Sequence, residues 1–239
     1  MKKLIPVAVL TLAVVLVAHT QLQSDGLEKY IGDLNRTLDY AAVVRRNMEQ
    51  NNLTTLILKE GNQYIVIEEP NAHGIWSLYN GSEKVIRWKI CVEGFQNNGT
   101  DSNPGPVAFM SYLYLVLNGS PKYEREITWG NPIKVTLVRK PGVPPYENLT
   151  INDTKYGPQT FQAPVNDWIR ANLTVSEGKL KRITMLSKYP DYFNQTLNTV
   201  SVDIKIIYRG EKGYDNMKKH VLERYTELLR ACSPEAPKN

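Results

Sequence analysis

A chain of 239 residues with 22% charged residues and a net charge of +5 is long enough for one large domain or two small ones. Its lysines and arginines are scattered among acids, not gathered into a basic stripe with interleaved aromatics, which argues against nucleic-acid binding. Only two cysteines occur, Cys91 and Cys232; in an oxidising compartment such a pair most often forms a disulfide, with free thiols or shared metal ligation as the alternatives.

The chain opens Met1-Lys2-Lys3 and then runs apolar and uncharged over residues 4–18. That matches the basic and hydrophobic regions of a secretory signal, and Ala18-His19-Thr20 offers small residues for cleavage before Gln21. The run is slightly short for a spanning helix, which needs about 18 or more apolar residues. Two readings stand for residues 1–20, a cleaved signal or an uncleaved anchor, and under either residues 21–239 are expected to form one extracellular glycosylated α+β domain.

Residues 26–51 carry Leu27, Ile31, Leu34, Leu38, Ala41 and Met48 at steps of three and four, with Arg45 as the exception, which predicts an amphipathic helix. Ser24-Asp25 would cap it, with Glu28 at the capping-box spacing. A β meander follows. Residues 53–59 and 63–68 flank Glu60-Gly61-Asn62, and residues 74–79 and 84–93 flank Asn80-Gly81. Within the second hairpin, Ile86, Trp88, Ile90 and Val92 share one face and Cys91 lies on the other. Residues 107–117 are apolar throughout and predict a central strand covered on both sides.

Residues 132–139 read as a strand with Ile133, Val135 and Leu137 inward, and Pro132, Lys134 and Arg139 carry the marks of a protected sheet edge. The Pro/Gly-rich stretch 140–146 predicts a linker or long loop. Further strands are expected at 171–176, 179–187 and 199–208, the last alternating Val200, Val202, Ile204, Ile206 and Tyr208 against polar neighbours. A second helix closes the chain near 214–231, with Met217, Val221, Leu222, Tyr225, Leu228 and Leu229 as its stripe. Cys232 continues that stripe, so this helix is expected to lie on the sheet, stapled to Cys91. Such a long loop, closed by a disulfide, would gain up to about 4–5 kcal/mol on the chain-entropy model.

Nine of the twenty asparagines begin Asn-x-Ser/Thr sequons: Asn35, Asn52, Asn80, Asn98, Asn118, Asn148, Asn152, Asn172 and Asn194. Chance at this composition gives about two. Asn-Gly is favoured in tight turns with or without a sugar, but that preference does not explain the Ser or Thr two positions on. It also fails for Asn-Leu-Thr at Asn52, Asn148 and Asn172. The excess predicts a surface shaped around bulky, solubilising N-glycans. Partner contacts are then expected where sequons are missing, at 54–79, 121–147 and the C-terminal helix, unless those segments are simply buried.

Chemical signatures are sparse. Glu68, Glu69 and His73 share a turn, but a zinc site normally needs more His or Cys ligands at defined spacing. Neither a nucleophile elbow nor a phosphate loop is present. Glu60, Glu68, Asp167 and Asp191 could meet only through the fold. Trp76, Trp88, Trp129 and Trp168 are candidates for sugar-stacking shelves or for core packing.

The sequence therefore predicts an α+β fold: a mostly antiparallel sheet or sandwich with an N-terminal and a C-terminal helix, or alternatively a β-sandwich with one docked helix. The expected protein is a heavily N-glycosylated cell-surface protein, structural or adhesive, of archaeal style, without cofactor, metal or catalytic residues. Its expected partners are other subunits of a homo-oligomer or polymer, meeting through the edge at 132–139 or the hairpin at 54–79. The alternatives are the outer domain of a membrane-anchored accessory or ligand-binding protein, and a secreted hydrolase.

Overall fold

The computed structural model describes residues 26–48, 52–69, 76–81, 85–92, 95–102, 105–153, 157–190 and 197–231, with the strands between 76 and 102 described through their backbone. In chain order, a short helix α1 (Lys29–Gly32) continues as a π-turn (Asp33–Thr37). Six strands follow: β1 (Tyr40–Met48), β2 (Asn52–Glu60), β3 (Gln63–Glu69), β4 (Trp76–Gly81), β5 (Val85–Val92) and β6 (Phe95–Ser102). A 3-10 turn (Pro106–Phe109) leads into α2 (Leu113–Asn118). Then come β7 (Tyr123–Thr128), β8 (Ile133–Arg139), β9 (Tyr146–Asp153), β10 (Gly157–Pro164), β11 (Trp168–Ser176), β12 (Lys179–Pro190) and β13 (Leu197–Tyr208), and α3 (Tyr214–Ala231) ends the described chain.

Eleven strands form one sheet in the order β6-β5-β4-β3-β2-β1-β13-β12-β11-β8-β7, and every neighbouring pair is antiparallel; β9 and β10 form a separate hairpin. The fold is thus α+β, a predominantly antiparallel sheet with helices at both ends of the chain. Strict alternation builds the sheet's right half. Ile133, Val135 and Leu137 of β8 are buried, as are Ile169, Ala171 and Leu173 of β11 and Val200, Val202, Ile204, Ile206 and Tyr208 of β13. These residues join Tyr40, Val44 and Val66 from the left half in one core on the inner face of the sheet. The helical pieces pack into that same core through Tyr30 of α1, Leu34 of the π-turn, Val107 of the 3-10 turn and Leu113 and Val116 of α2, with Leu27 and Met110 beside them.

On the outer face α3 lies across β1 to β4. Tyr214, Val221 and Leu228 bury against Ala41, Leu56, Leu58 and Ile67 in a second, smaller core. Complete burial of Val221 and Leu228 contributes about 1.5–3 kcal/mol each. Two carboxylates clamp the helix to β2 and β3. Glu60 accepts hydrogen bonds from the Tyr214 hydroxyl at 2.9 Å and Lys218 Nζ at 2.7 Å, and Glu69 accepts one from Arg224 Nε at 2.9 Å. Leu222 and Leu229 belong to the expected stripe but are 38% and 43% exposed, so the buried stripe is narrower than the sequence suggested.

Three expectations are corrected. The N-terminal helix ends by Thr37, and 40–48 is a central strand. Its inner residues Tyr40, Ala42 and Val44 and its outer residue Ala41 are all buried, so the alternation that marks a strand is masked by apolar residues on both faces. Arg45, the misfit in the helical stripe, is an exposed outer-face residue. Residues 107–117 form no strand but the 3-10 turn and α2, joined through Ser111 and Tyr112 at φ 34° and 58°. A short segment apolar all round gives no period by which helix and strand differ. Finally, β8 is bonded to β11 on one side and β7 on the other, and the hairpin at 54–79 lies inside the sheet, so neither is an edge. Lys134 and Arg139 have other uses: Lys134 stands exposed on the outer face, and Arg139 pairs with Asp167 at 2.6 Å. The sheet's margins are β6 and β7.

Two cations reach from the sheet to satisfy helix ends, where the last carbonyls lack intrahelical partners. Lys59 is 1% exposed, and its Nζ donates to the carbonyls of Arg36 (3.3 Å), Leu38 (2.9 Å) and Gly61 (2.9 Å). Burial lowers its pKa and the nearby Asp39 carboxylate opposes that shift. Arg125 likewise donates to the carbonyls of Val116 and Leu117 at 2.7 and 2.9 Å, at the end of α2.

Candidate functional site on the outer face of the sheet

Beyond β1 the outer face carries no helix among the described residues. Cross-strand register orders it into rows. One row runs Arg45, Asp203, Thr184, Asn172, Lys134, Thr128; the next runs Asn47, Ser201, Leu186, Arg170, Thr136, Glu126. Trp168 and Val138 begin a third. Arg45, Lys134, Arg170, Arg182 and Lys205 are exposed here, with Arg182 bonded to Asp203 at 2.9 Å, and the exposed acids Glu124 and Glu126 stand on the β7 margin. Amid this polar surface lies an apolar island. Val138 is 46% and Leu186 40% exposed, and the Arg170 guanidinium sits over the half-buried Trp168 ring at 4.8 Å.

The register also collects the sequons. Asn52 is exposed and opposes Asn47; Asn172 is exposed between Lys134 and Thr184, with its Nδ2 3.4 Å from Thr184 Oγ1. Position 80 pairs with Ile65, and position 98 pairs with Lys89, itself the partner of Leu78, which is paired with Ile67. Ile65 and Ile67 belong to the outer core under α3. In the register, positions 80 and 98 are thus in step with the outer-face rows of the half that α3 crosses, while Asn52 and Asn172 are exposed on the outer face of the large sheet. Off that sheet, Asn118 is exposed at the end of α2, and Asn148 is exposed on β9, which also carries Asn152.

Asn35 differs. It is half-buried in the π-turn, its Oδ1 accepts the Val107 amide at 3.0 Å, and a Cβ at Gly105 would come within 2.7 Å of it. With Gly105 at φ 78°, only glycine suits that close approach. Here the asparagine pins the 3-10 turn to α1.

Asn194 and Cys232 lie outside the described residues, as do His73 and Asp191. Cys91 is on β5 opposite Trp76 and Gln96, and the register puts position 91 on the face that α3 covers. The remaining carboxylate candidates are held apart. Glu60 is engaged by α3, Asp167 by Arg139, and Glu68 lies at the far end of β3 from Glu60, about 17 Å away at strand rise. Burial raises the Glu68 carboxyl above its usual range, and Arg46 opposes that shift. Of the tryptophans, Trp129 is 59% exposed in the β7–β8 turn, Trp168 forms the shelf with Arg170, and Trp76 and Trp88 are placed by backbone alone. Sequence reasoning missed the shelf because the strand was expected to start at 171; the alternation Trp168, Arg170, Asn172, Thr174 was the available signal. Among the described residues no group of three His, Cys, Asp or Glu could hold a metal ion, and no helix is long and apolar enough to cross a membrane.

The chain matches no protein-family model and no curated protein.

Proposed function

We propose that this chain is an N-glycosylated cell-surface protein with a structural or adhesive role, a subunit of a filament or envelope layer. The observation that carries the reading is the exposure of Asn52 and Asn172 on the outer face of the sheet and of Asn118 and Asn148 off it. A glycan requires solvent, and these four asparagines have it. The sequon excess and the secretory-type start of the chain support the same conclusion.

A sugar coat on that face sends subunit contacts elsewhere. Of the two margins, β6 carries Asn98 and β7 carries no sequon. Antiparallel pairing of β7 with its own copy would set Glu124 and Glu126 against one another, which like charges disfavour. The contact is therefore heterologous, with β7 and the exposed Trp129 beside it meeting a different surface of the next subunit, the geometry that generates open filaments. Negative-stain microscopy of native surface material tests this. Ordered fibres or sheets labelled by an antibody to this chain are expected; a dispersed, membrane-extracted particle with unlike subunits would transfer the protein to the accessory-domain class.

A further inference from the structure

The apolar island of Trp168, Val138 and Leu186 lies on the part of the outer face beyond β1, which no helix covers among the described residues, and two of its members are large exposed hydrophobics. Contiguous exposed apolar patches rimmed by polar residues mark interaction sites. The nearest chemically distinctive feature is the sequon on the same strand. Asn172 and Thr174 are both exposed on the outer face, and Asn172 is one register row from Arg170 and Leu186 and two from Trp168 and Val138. At strand rise these steps are about 7 and 13 Å along β11, within reach of the first few rings of an attached sugar chain.

We propose that the glycan on Asn172 folds back along β11 and covers this island. The inference rests on the reading of the sequons as occupied. The chemistry of the surface suits a sugar. Pyranose rings have apolar C–H faces that pack on aromatic and aliphatic side chains, and Val138, Leu186 and the Trp168 ring beside Arg170 supply such a surface. Sugar hydroxyls meet donors and acceptors at the rim, where Arg170, Thr136 and Lys134 flank the patch in the register. Asn52 shares the face but lies three strand spacings from Leu186, about 14 Å across the sheet, so its glycan starts from the far side of β1 and β13.

Hydroxyl-radical footprinting of the native glycoprotein, read by peptide mass spectrometry, tests the proposal, with glycopeptide mapping of the same sample fixing occupancy at Asn172. Oxidation of Trp168 and Leu186 should at least double in Asn172→Gln and equally in Thr174→Ala, which removes the sequon but keeps the asparagine. Asn52→Gln should leave both rates unchanged. Equal oxidation in the occupied wild type and in both variants would overturn the proposal while leaving glycosylation intact. An unmodified Asn172 would overturn it together with that part of the glycoprotein reading. Protection that survives loss of the sequon and grows with protein concentration would assign the island to a second copy of the chain, and would overturn it too.

Discussion

Replacing Lys59 by methionine isolates the energetics of the polar knot that ties the N-terminal turn to the sheet. Methionine keeps the apolar stem packed but removes three N–H donors, leaving the carbonyls of Arg36, Leu38 and Gly61 without that partner. Each carbonyl left dry costs about 1–3 kcal/mol. Opposing this, the variant no longer desolvates an ammonium, a cost visible in the lowered pKa of Lys59, and burying an ion is expensive even when it is paired. The Gly61 carbonyl lies in an exposed turn and recovers water readily. The carbonyls of the π-turn end carry most of the loss, and the net destabilisation is about 3 kcal/mol. In a domain of this size that lowers the melting temperature by roughly 6–12 °C. Urea unfolding followed by circular dichroism gives the free energy directly, with Lys205→Met on the exposed outer face as a control expected within about 0.5 kcal/mol of wild type. A loss below about 1 kcal/mol for Lys59→Met would refute the view that this lysine is the cap of the π-turn.

Asn35→Ala should cost about 1–2 kcal/mol, because the Val107 amide loses its acceptor, whereas Asn148→Ala should be near neutral in unglycosylated protein; equal effects would remove the structural role assigned to Asn35. Burial raises the Glu60 carboxyl, but the bonds from Lys218 and Tyr214 outweigh burial and hold it below its usual range. Its contribution is therefore present above the unfolded carboxylate range and lost as pH falls below it. Glu60→Gln should destabilise by about 1 kcal/mol at pH 7 with the difference shrinking toward pH 3, as chemical denaturation at both pH values would show. Glu68 has the opposite sign: its folded pKa is raised by burial, so ionisation costs stability as pH rises. Glu68→Gln should match wild type near pH 3 and gain up to about 1 kcal/mol at neutral pH; a loss at neutral pH would show that Arg46 outweighs burial. Non-reducing digestion should yield Cys91 and Cys232 as one cross-linked peptide pair, and free thiols on both in native protein would refute it.

How much of this was legible in the sequence depended on whether a face was left polar. The strand β13 could be read because Ser201, Asp203 and Lys205 alternate with buried Val200, Val202, Ile204 and Ile206. The helix α3 showed its period because Lys219, Glu223 and Arg230 mark its wet side. Where both sides are covered the signal vanished: Ala41 to Val44 fit a helical stripe as well as a strand, and 107–117 fit a strand as well as two helical turns. Strand order is not a local property at all. The interior position of β8 follows from its pairing with β11, some thirty residues on, and nothing in Pro132 or Lys134 reveals that. Individual sequons were plain as motifs, but the shared outer face of Asn52 and Asn172 exists only through the register of β2, β1, β13, β12 and β11. The reverse holds for Asn35, whose motif resembles the others while its carboxamide serves the fold.

The central claim is that the outer face of the sheet is a sugar-bearing surface of a secreted protein. Site-resolved glycopeptide mass spectrometry of the native protein, purified from its own source, tests it most directly. The account predicts N-linked glycans on Asn52, Asn118, Asn148 and Asn172, the exposed sequon asparagines, with occupancy lowest at Asn35. Unmodified asparagine at both Asn52 and Asn172, the exposed sites on the outer face, would contradict it.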